Sequence, residues 1–484
     1  MGDPSFQIKP DRSASGQPDR HRQELVRGGI SAFSLRLVGM AVNWVFAIMV
    51  ARSTGAAGTG VYNLVQTVLN FSSTISKLGA DTLMTRFGVQ YFMQRQWGNI
   101  KDLFNKNILV SVPLSLLLSA VIFFQADEIA AHIFTKPELA PYFQVGALAL
   151  LPLTVFQIAT GGIRGLKKIR QYAFLHNVSN FLFGIFILGG ILLLTTRRDP
   201  MIVVITYITF ITLTALLSIY WFFVYSHYFK TMPSQGIQFR EKFWVGMSLF
   251  VASLASLVRG YADTLILSRF ASMEEVGIYR NAFKVATVTR IALIALLIPA
   301  APQFAELYAA GRMDELRRSA QFVTKIIFWC SAPILLVIFA AAPLIMGIFG
   351  KEFVAGSSVL MVLAVGQFIN AATGPVSNIL IMTGRQKLNR NLMVATTVLA
   401  IGLNLWLVPL MGAMGAAIVN ALGVFLLNVI PFFLIRYYYG FYTLDVRDLF
   451  RLNPRQLLHD VREALRRDRN RKPLANDDDE PLAE

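Results

Sequence analysis

Residues 201–225 read MIVVITYITFITLTALLSIYWFFVY, an apolar stretch of 25 residues that contains no charged side chain. A helix that crosses the hydrocarbon core of a bilayer needs about 20 mostly apolar residues, so this stretch is long enough to span a membrane. Within a bilayer every backbone N–H and C=O group must be satisfied internally, and a helix achieves this. The stretch therefore predicts a transmembrane helix.

The composition of the whole chain indicates the same environment. Of its 484 residues, 55% are hydrophobic and 15% are charged, and the mean hydropathy is +0.53. A soluble domain usually carries about 25% charged residues. The formal net charge of +17 is typical of membrane proteins, which collect Lys and Arg in their cytoplasmic loops, so we expect no nucleic-acid partner.

Twelve apolar runs of spanning length follow one another, and no connection between them is long enough for a separate soluble domain. The sequence therefore predicts an all-α polytopic membrane protein, with twelve transmembrane helices in two six-helix bundles around a central cavity. The predicted helices, numbered 1 to 12, are 28–51, 58–80, 104–125, 142–163, 173–195, 201–225, 243–268, 277–302, 323–349, 357–383, 390–410 and 413–436.

The same runs predict the domain organisation. We expect two cytoplasmic tails, two bundles and a cytoplasmic linker between the bundles. The predicted bounds are 1–27 for the N-terminal tail, 28–225 for the first bundle, 226–242 for the linker, 243–438 for the second bundle and 439–484 for the C-terminal tail. This last tail is basic and has an amphipathic pattern, which favours either contact with anionic membrane lipids or a solvated helix.

The distribution of Lys and Arg residues predicts the orientation. With the N-terminus placed in the cytoplasm, the tail and loops on the cytoplasmic side up to predicted helix 11 hold 23 of these residues, and the outer loops hold 7. Positive charge collects in cytoplasmic loops, and only the loop at 197–198 runs against the trend. Because the number of helices is even, both termini are then cytoplasmic.

Two halves of the chain resemble each other. After predicted helix 1 the chain has Arg52 and then Gly-Val-Tyr at 60–62. After predicted helix 7 it has Arg269 and Gly-Ile-Tyr at 277–279, in each case 217 positions later (269 − 52, 277 − 60). Six helices in each half predict parallel repeats related by an axis along the membrane normal, which is a common plan for transporters.

Five ionisable residues on predicted helices 1, 7 and 8 lie at membrane depth, where a charge is costly unless it faces a polar cavity. Four are cations, so we expect a cavity that binds an anion, and a phosphate or pyrophosphate matches the forked guanidinium group. The alternatives are a structural ion pair on helix 7 and a lysine that reaches the outer surface. The candidate substrate-binding residues are Arg36, Arg259, Asp263, Lys284 and Arg290.

Motifs for catalysis, metal binding or ATP hydrolysis are absent from the sequence. It has no His-Glu-x-x-His run, no Gly-rich phosphate loop and no Cys-x-x-Cys pair, and Cys330 is its one cysteine. We therefore expect no enzyme activity, no cofactor and no metal site. Transport would then draw on a gradient, a membrane potential or a partner.

Four stretches carry a resemblance to a known family. They are LGADTLMTRF at 78–87, YADTLIL at 261–267, EVGIYRNA at 275–282 and VPLMGAMGAA at 408–417. In this order and spacing they resemble the polysaccharide-transport flippases of the multidrug, oligosaccharidyl-lipid and polysaccharide exporter superfamily. The resemblance covers about residues 24–440.

The resemblance implies a function as well as a fold. It implies that an undecaprenyl-pyrophosphate-linked oligosaccharide (an O-antigen, capsule or exopolysaccharide repeat unit) is moved from the inner to the outer leaflet of the bacterial cytoplasmic membrane by alternating access. The lipid-linked oligosaccharide is then the main partner, and a glycan polymerase or glycosyltransferase complex is a further candidate. The alternatives are a cation-coupled multidrug exporter of the same superfamily and a non-transporting scaffold for glycan-assembly enzymes.

Overall fold

The structure is a computed structural model that describes residues 18–194, 199–228, 230, 234, 236–445 and 449, with side chains from residue 34 onward except at 298 and 299. Every regular element within these ranges is a helix, which confirms the predicted all-α polytopic fold. The predicted C-terminal amphipathic helix and the loop at 197–198 lie outside the described residues.

Among the described residues, eight helices have the length and composition of a membrane span, or ten when two bent pairs are each counted as one span. Two of these segments are 44 and 54 residues long and are broken by a non-helical glycine, so each provides two spans and the total is twelve. The spans are α1 (18–54), α2 (56–77), α3 (Trp97–Phe124), α4 (Pro137–Ala147 with Leu150–Gly165), α5 (Ile169–Leu194), α6 (Pro200–Tyr225), α7 (Phe239–Phe270), α8 (Met273–Leu297 with Ala300–Ala309), α9 (Met313–Gly347), α10 (Lys351–Thr373), α11 (386–411) and α12 (413–439).

Helices α1 to α6 form the first bundle and α7 to α12 form the second. We call the end where α1 begins and α12 ends the near end, and the end where α1 meets α2 the far end. Ala80–Met93 forms an additional short helix at the near end, in a region where the apolar runs predicted a loop. Its buried residues recur at helical spacing, but the segment is too short to span a membrane. The domain bounds stay a prediction.

Glycine allows two sharp reversals at the far end. Gly55 and Gly412 have φ angles of 69° and 56°, a left-handed conformation that strains residues with a side chain. After each glycine, the first N–H of the next helix donates to a carboxylate at 2.8 Å, to Glu352 for α2 and to Glu275 for α12. A carboxylate there accepts a hydrogen bond from an otherwise unpaired N–H group, and its negative charge interacts favourably with the positive end of the helix dipole.

Helices α2 and α8 cross in very close contact near the far end. A Cβ atom on Gly60 would lie 1.8 Å from the carbonyl oxygen of Met273, and one on Gly277 would lie 2.0 Å from that of Ala56. The two glycines are separated by the repeat distance of 217 positions (277 − 60). Repeat-related residues that meet in this way are expected beside the axis that relates the two bundles.

Candidate substrate-binding cavities

A cavity of about 400 Å³ lies between the two bundles, and we call it the inter-bundle cavity. Helices α1 and α5 of the first bundle and α8 of the second line it. Arg36 and Arg290 contribute cations from opposite bundles, and no acidic residue occurs among the described residues that line it. The other polar residues on its walls are Asn43, His176, Asn177 and Thr287.

Arg290 lies at the end of a 3-10 turn within α8. The turn spans Thr287–Arg290, and two threonine hydroxyls in it donate to carbonyl oxygens three residues earlier, at 2.7 and 2.8 Å. Such local hydrogen bonds favour a tighter turn over a regular α-helix. The Nε atom of Arg290 is buried and has no hydrogen-bond partner in the described part of the chain. An anionic oxygen in the cavity would satisfy it.

Arg290 also lines a second cavity of about 200 Å³ inside the second bundle, which we call the C-bundle cavity. Arg259 and Asp263 lie on its walls. The buried Asp263 carboxylate accepts a hydrogen bond from the Tyr279 hydroxyl and one from Asn420 Nδ2 at 3.3 Å. No ion pair joins Arg259 to Asp263 among the described residues, so the structural pair considered from their spacing is not formed in this structure.

A third cavity of about 180 Å³ lies between the bundles toward the far end, and we call it the far-end cavity. Lys284 lines it and donates from Nζ to Asn43 Oδ1 at 3.0 Å. Asn43 lines the inter-bundle cavity as well. Lys284 is therefore directed between the bundles and does not extend to the outer surface.

Arg280 is a cation of the far-end cavity that sequence reasoning missed, because it was counted with the outer loop. It lies one helical turn before Lys284 on α8, and its guanidinium group is 4.9 Å from the centroid of the Tyr261 ring. Its Nε atom is buried without a hydrogen-bond partner among the described residues. The four-residue spacing from Lys284 was the signal that could have identified it.

A fourth cavity of about 410 Å³ lies inside the first bundle, and none of the five predicted residues lines it. We call it the N-bundle cavity. Lys77 and Asp81 form an ion pair of 2.8 Å on its wall. The five predicted residues are thus distributed over three cavities. Arg290 lines the inter-bundle and C-bundle cavities, and Asn43 lines the inter-bundle and far-end cavities. The sequence did not predict the N-bundle cavity.

Hydrogen bonds between the bundles close the far end. Arg269 at the end of α7 donates from Nη1 to the carbonyl oxygens of His132, at 2.7 Å, and Ile133, in the helical turns after α3. Arg52 at the end of α1 donates from Nε to the carbonyl oxygen of Ile348, just after α9, at 2.9 Å. The two arginines are 217 positions apart (269 − 52), so both repeats make the same kind of contact. Each binds a helix C-terminus, where carbonyl groups are free and the helix dipole is negative.

Lys136 adds to this closure. Its Nζ atom donates to the carbonyl oxygen of Ser268 at 2.6 Å, again from the first bundle to the second. Burial lowers the pKa of Lys136, and the nearby Glu138 opposes this shift. We call the hydrogen bonds made by Arg52, Arg269 and Lys136 the far-end contacts.

The fold and the cavities between its bundles define a multi-pass membrane transporter. The family model described as "Polysaccharide biosynthesis protein" matches residues 25–307, and the model described as "MatE" matches residues 249–406. The first match covers more than half of the chain. The chain therefore belongs to the polysaccharide biosynthesis protein family, within the multidrug, oligosaccharidyl-lipid and polysaccharide exporter superfamily, and the resemblance seen in the sequence is confirmed.

Known proteins show the same relationship. The Haloferax volcanii protein "Probable low-salt glycan biosynthesis flippase Agl15" is 23% identical over 401 residues, which are 82% of this chain and 81% of the relative. A multidrug resistance MATE family transporter in an inward-facing conformation has a TM-score of 0.66 at 16% identity, covering 85% of this chain and 98% of that one. The lipid II flippase MurJ in an inward closed conformation has a TM-score of 0.66 at 12% identity, covering 93% and 94%. The two solved structures share the fold of this chain.

Proposed function

We propose that this protein is a flippase that carries an undecaprenyl-pyrophosphate-linked oligosaccharide from the inner to the outer leaflet of the bacterial cytoplasmic membrane. The cargo would be an O-antigen, capsule or exopolysaccharide repeat unit, and the near end with both termini would face the cytoplasm. The inter-bundle cavity carries this proposal, because Arg36 and Arg290 line it from opposite bundles without an acidic residue among its described walls.

The chemistry of the cavity suits a pyrophosphate. A guanidinium group forms two parallel hydrogen bonds with phosphate oxygens, and the buried, unpartnered Nε of Arg290 is a donor that such an oxygen would satisfy. Lys284 and Arg280 supply further cations toward the far end, so an anion that moves outward meets positive side chains at successive depths. The prenyl chain would remain in the lipid.

Alternating access supplies the movement. The far-end contacts would break and the near end would close as one bundle rocks against the other. A pyrophosphate diester carries about two negative charges, and its outward transfer gains roughly 2.3 kcal/mol per charge per 100 mV in a cell that is negative inside. The membrane potential would therefore favour the proposed outward step.

The proposal is tested by replacing the two arginines in a strain from which the gene has been deleted. We expect Arg36→Ala and Arg290→Ala to lose most of the surface glycan, because a charged hydrogen bond of about 1.5–3 kcal/mol changes affinity by roughly 10- to 100-fold. Arg36→Lys and Arg290→Lys should restore part of it. Surface glycan and the abundance of the protein in the membrane are measured together.

Arg312→Ala is the matched control, since Arg312 is an exposed arginine at the near end that pairs with Glu315. It should retain the surface glycan of the wild type. Full glycan in both alanine variants, at normal abundance, would contradict the proposed role of the inter-bundle cavity.

A cation-coupled multidrug exporter is the second candidate, because the "MatE" model matches residues 249–406 and a MATE transporter shares the fold. It predicts resistance to a toxic amphiphile on overexpression and an intact surface glycan on deletion. The cationic inter-bundle cavity favours the flippase, since a cationic drug would be repelled there. Contacts with anionic membrane lipids and with a glycan polymerase or glycosyltransferase complex stay predictions.

A further inference from the structure

The N-bundle cavity differs from the inter-bundle cavity in the chemistry of its walls. Its described walls contain one carboxylate, Asp81, which pairs with Lys77, so these two charges cancel. Most of the remaining polar groups donate and accept hydrogen bonds without carrying a charge. They include Gln66, Asn70, Thr85, Gln157, Thr160 and Asn180.

Several of these groups have no protein partner. The amides of Gln66 and Asn70 make no hydrogen bond within the described residues, and Asn180 Oδ1 is buried without a partner. Gln157 accepts from the Ser73 hydroxyl at 3.2 Å, which leaves its amide nitrogen available to donate. Unpaired polar groups at membrane depth are costly, so they indicate a ligand or water that supplies the missing partners.

On each of two helices, the polar residues that line the N-bundle cavity lie on one helix face. On α2, Gln66, Asn70 and Lys77 follow one another at i, i+4 and i+11, which places them on one helix face. On α4, Gln157 and Arg164 are seven residues apart and share a face in the same way. Helices that only packed against each other inside the bundle would present apolar side chains on these faces.

Aromatic rings form the adjoining part of the wall. The His176 ring lies nearly parallel to those of Tyr172 and Phe156, with centroid distances of 5.4 and 6.5 Å. The Arg164 guanidinium group lies 5.3 Å from the centroid of the Tyr172 ring. The C–H groups of a pyranose pack on the negative face of an aromatic ring while its hydroxyls bind amides. Rings beside unpaired amides therefore suit a sugar.

The N-bundle and inter-bundle cavities are neighbours, because His176 and Phe181 line both. We infer that the N-bundle cavity binds the sugar part of the lipid-linked cargo while the inter-bundle cavity binds its pyrophosphate, an assignment that rests on the proposed function. The volume of about 410 Å³ lies within the range of roughly 300–1,000 Å³ that is typical of small-molecule sites, and it is sufficient for a small saccharide.

The test compares two ligands on the purified full-length protein by microscale thermophoresis. One is the lipid-linked glycan extracted from cells that lack the transporter, and the other is undecaprenyl pyrophosphate, which has no sugar. We expect Asn70→Leu and Gln157→Leu each to weaken binding of the glycan-bearing lipid by about five- to tenfold, the effect of one or two hydrogen bonds. Binding of undecaprenyl pyrophosphate should change by less than about twofold, which also shows that the variants are folded.

Asn428→Leu is the matched control, because this buried amide of α12 lines none of the four cavities described above, and the substitution should leave both affinities unchanged. Wild-type protein that binds both lipids equally, or variants that lose both to the same extent, would overturn the inference and leave the proposed function standing. So would an Asn428→Leu variant that loses glycan binding as strongly as Asn70→Leu. Wild-type protein that binds neither lipid would instead contradict the proposed function itself.

Discussion

Asp263 is a carboxylate inside the second bundle that the protein surrounds with hydrogen-bond donors. The Tyr279 hydroxyl and the Asn420 amide both donate to its Oδ2 atom, and its Oδ1 atom accepts from the backbone N–H of Thr264 at 2.7 Å. A buried charge is tolerated only when such partners replace water. The hydrogen bond from Tyr279 should therefore contribute to the stability of the bundle.

We expect Tyr279→Phe to destabilise the protein by about 1–3 kcal/mol, because it leaves a buried acceptor without one of its partners. Thermal unfolding of the purified protein measures this as a lower midpoint. Tyr62 is the matched control: it lies 217 positions earlier (279 − 62), is also buried, and its hydroxyl has no hydrogen-bond partner among the described residues. Tyr62→Phe should stay within about 0.5 kcal/mol of the wild type. Equal midpoints for the two variants would show that the Tyr279 hydrogen bond does not stabilise the fold.

The sequence predicts which residues carry charge at depth, but it does not predict their partners. Arg36 and Arg290 are 254 positions apart (290 − 36), and only the packing of α1 against α8 brings them to one cavity. Spacing along helix 7 suggested that Arg259 pairs with Asp263, whereas the Asp263 side chain is directed toward α8 and α12. Local spacing identifies a shared helix face, and tertiary packing decides what that face contacts.

At the scale of elements, the crossing of α2 and α8 depends on the absence of side chains at two positions. Because a Cβ atom on Gly60 would lie 1.8 Å from a backbone oxygen of α8, Gly60→Ala must separate the helices. We expect a loss of about 1–3 kcal/mol, as for other overpacked interiors. Thermal unfolding monitored by size-exclusion chromatography measures it.

Gly402→Ala provides the control for this substitution, since a Cβ atom on that glycine of α11 would meet nothing within 4 Å. It should be neutral, or stabilising by up to about 1 kcal/mol, because alanine favours a helix. If Gly60→Ala unfolds no earlier than Gly402→Ala, close approach of α2 and α8 is not required.

The pattern of apolar runs was sufficient to predict the number of spans and their order. It did not predict the short helix Ala80–Met93, because this segment buries only one face and contains no apolar run of spanning length. Nor did it predict that each long helical segment reverses at a single glycine, beside a carboxylate from the first turn of another helix. Glu352 is 296 positions from Ala56, whose N–H group donates a hydrogen bond to it, so this contact exists only in the folded chain.

At the scale of the whole molecule, the far-end contacts connect the internal repeat to the proposed mechanism. Arg52 reaches from the first bundle to the second, and Arg269 reaches from the second bundle to the first. Because each arginine binds free carbonyl groups at a helix end, the two contacts open and close together when the bundles rotate about the axis between them. They should therefore set the balance between the state closed at the far end and the state open there.

Removing these arginines should shift that balance toward the state open at the far end. We expect Arg269→Ala to increase its population about fivefold, the effect of roughly 1 kcal/mol, and the double variant Arg52→Ala/Arg269→Ala to increase it further. Pulsed electron spin resonance measures the distance between the two bundles at the far end. The spin labels are attached to Glu138→Cys and Glu274→Cys, two exposed far-end positions on different bundles, in a Cys330→Ala background. Arg312→Ala at the near end should leave the distances unchanged. An unaltered distance distribution in the double variant would mean that the two arginines do not keep the far end closed, and that the Lys136 contact or the close packing of α2 and α8 does.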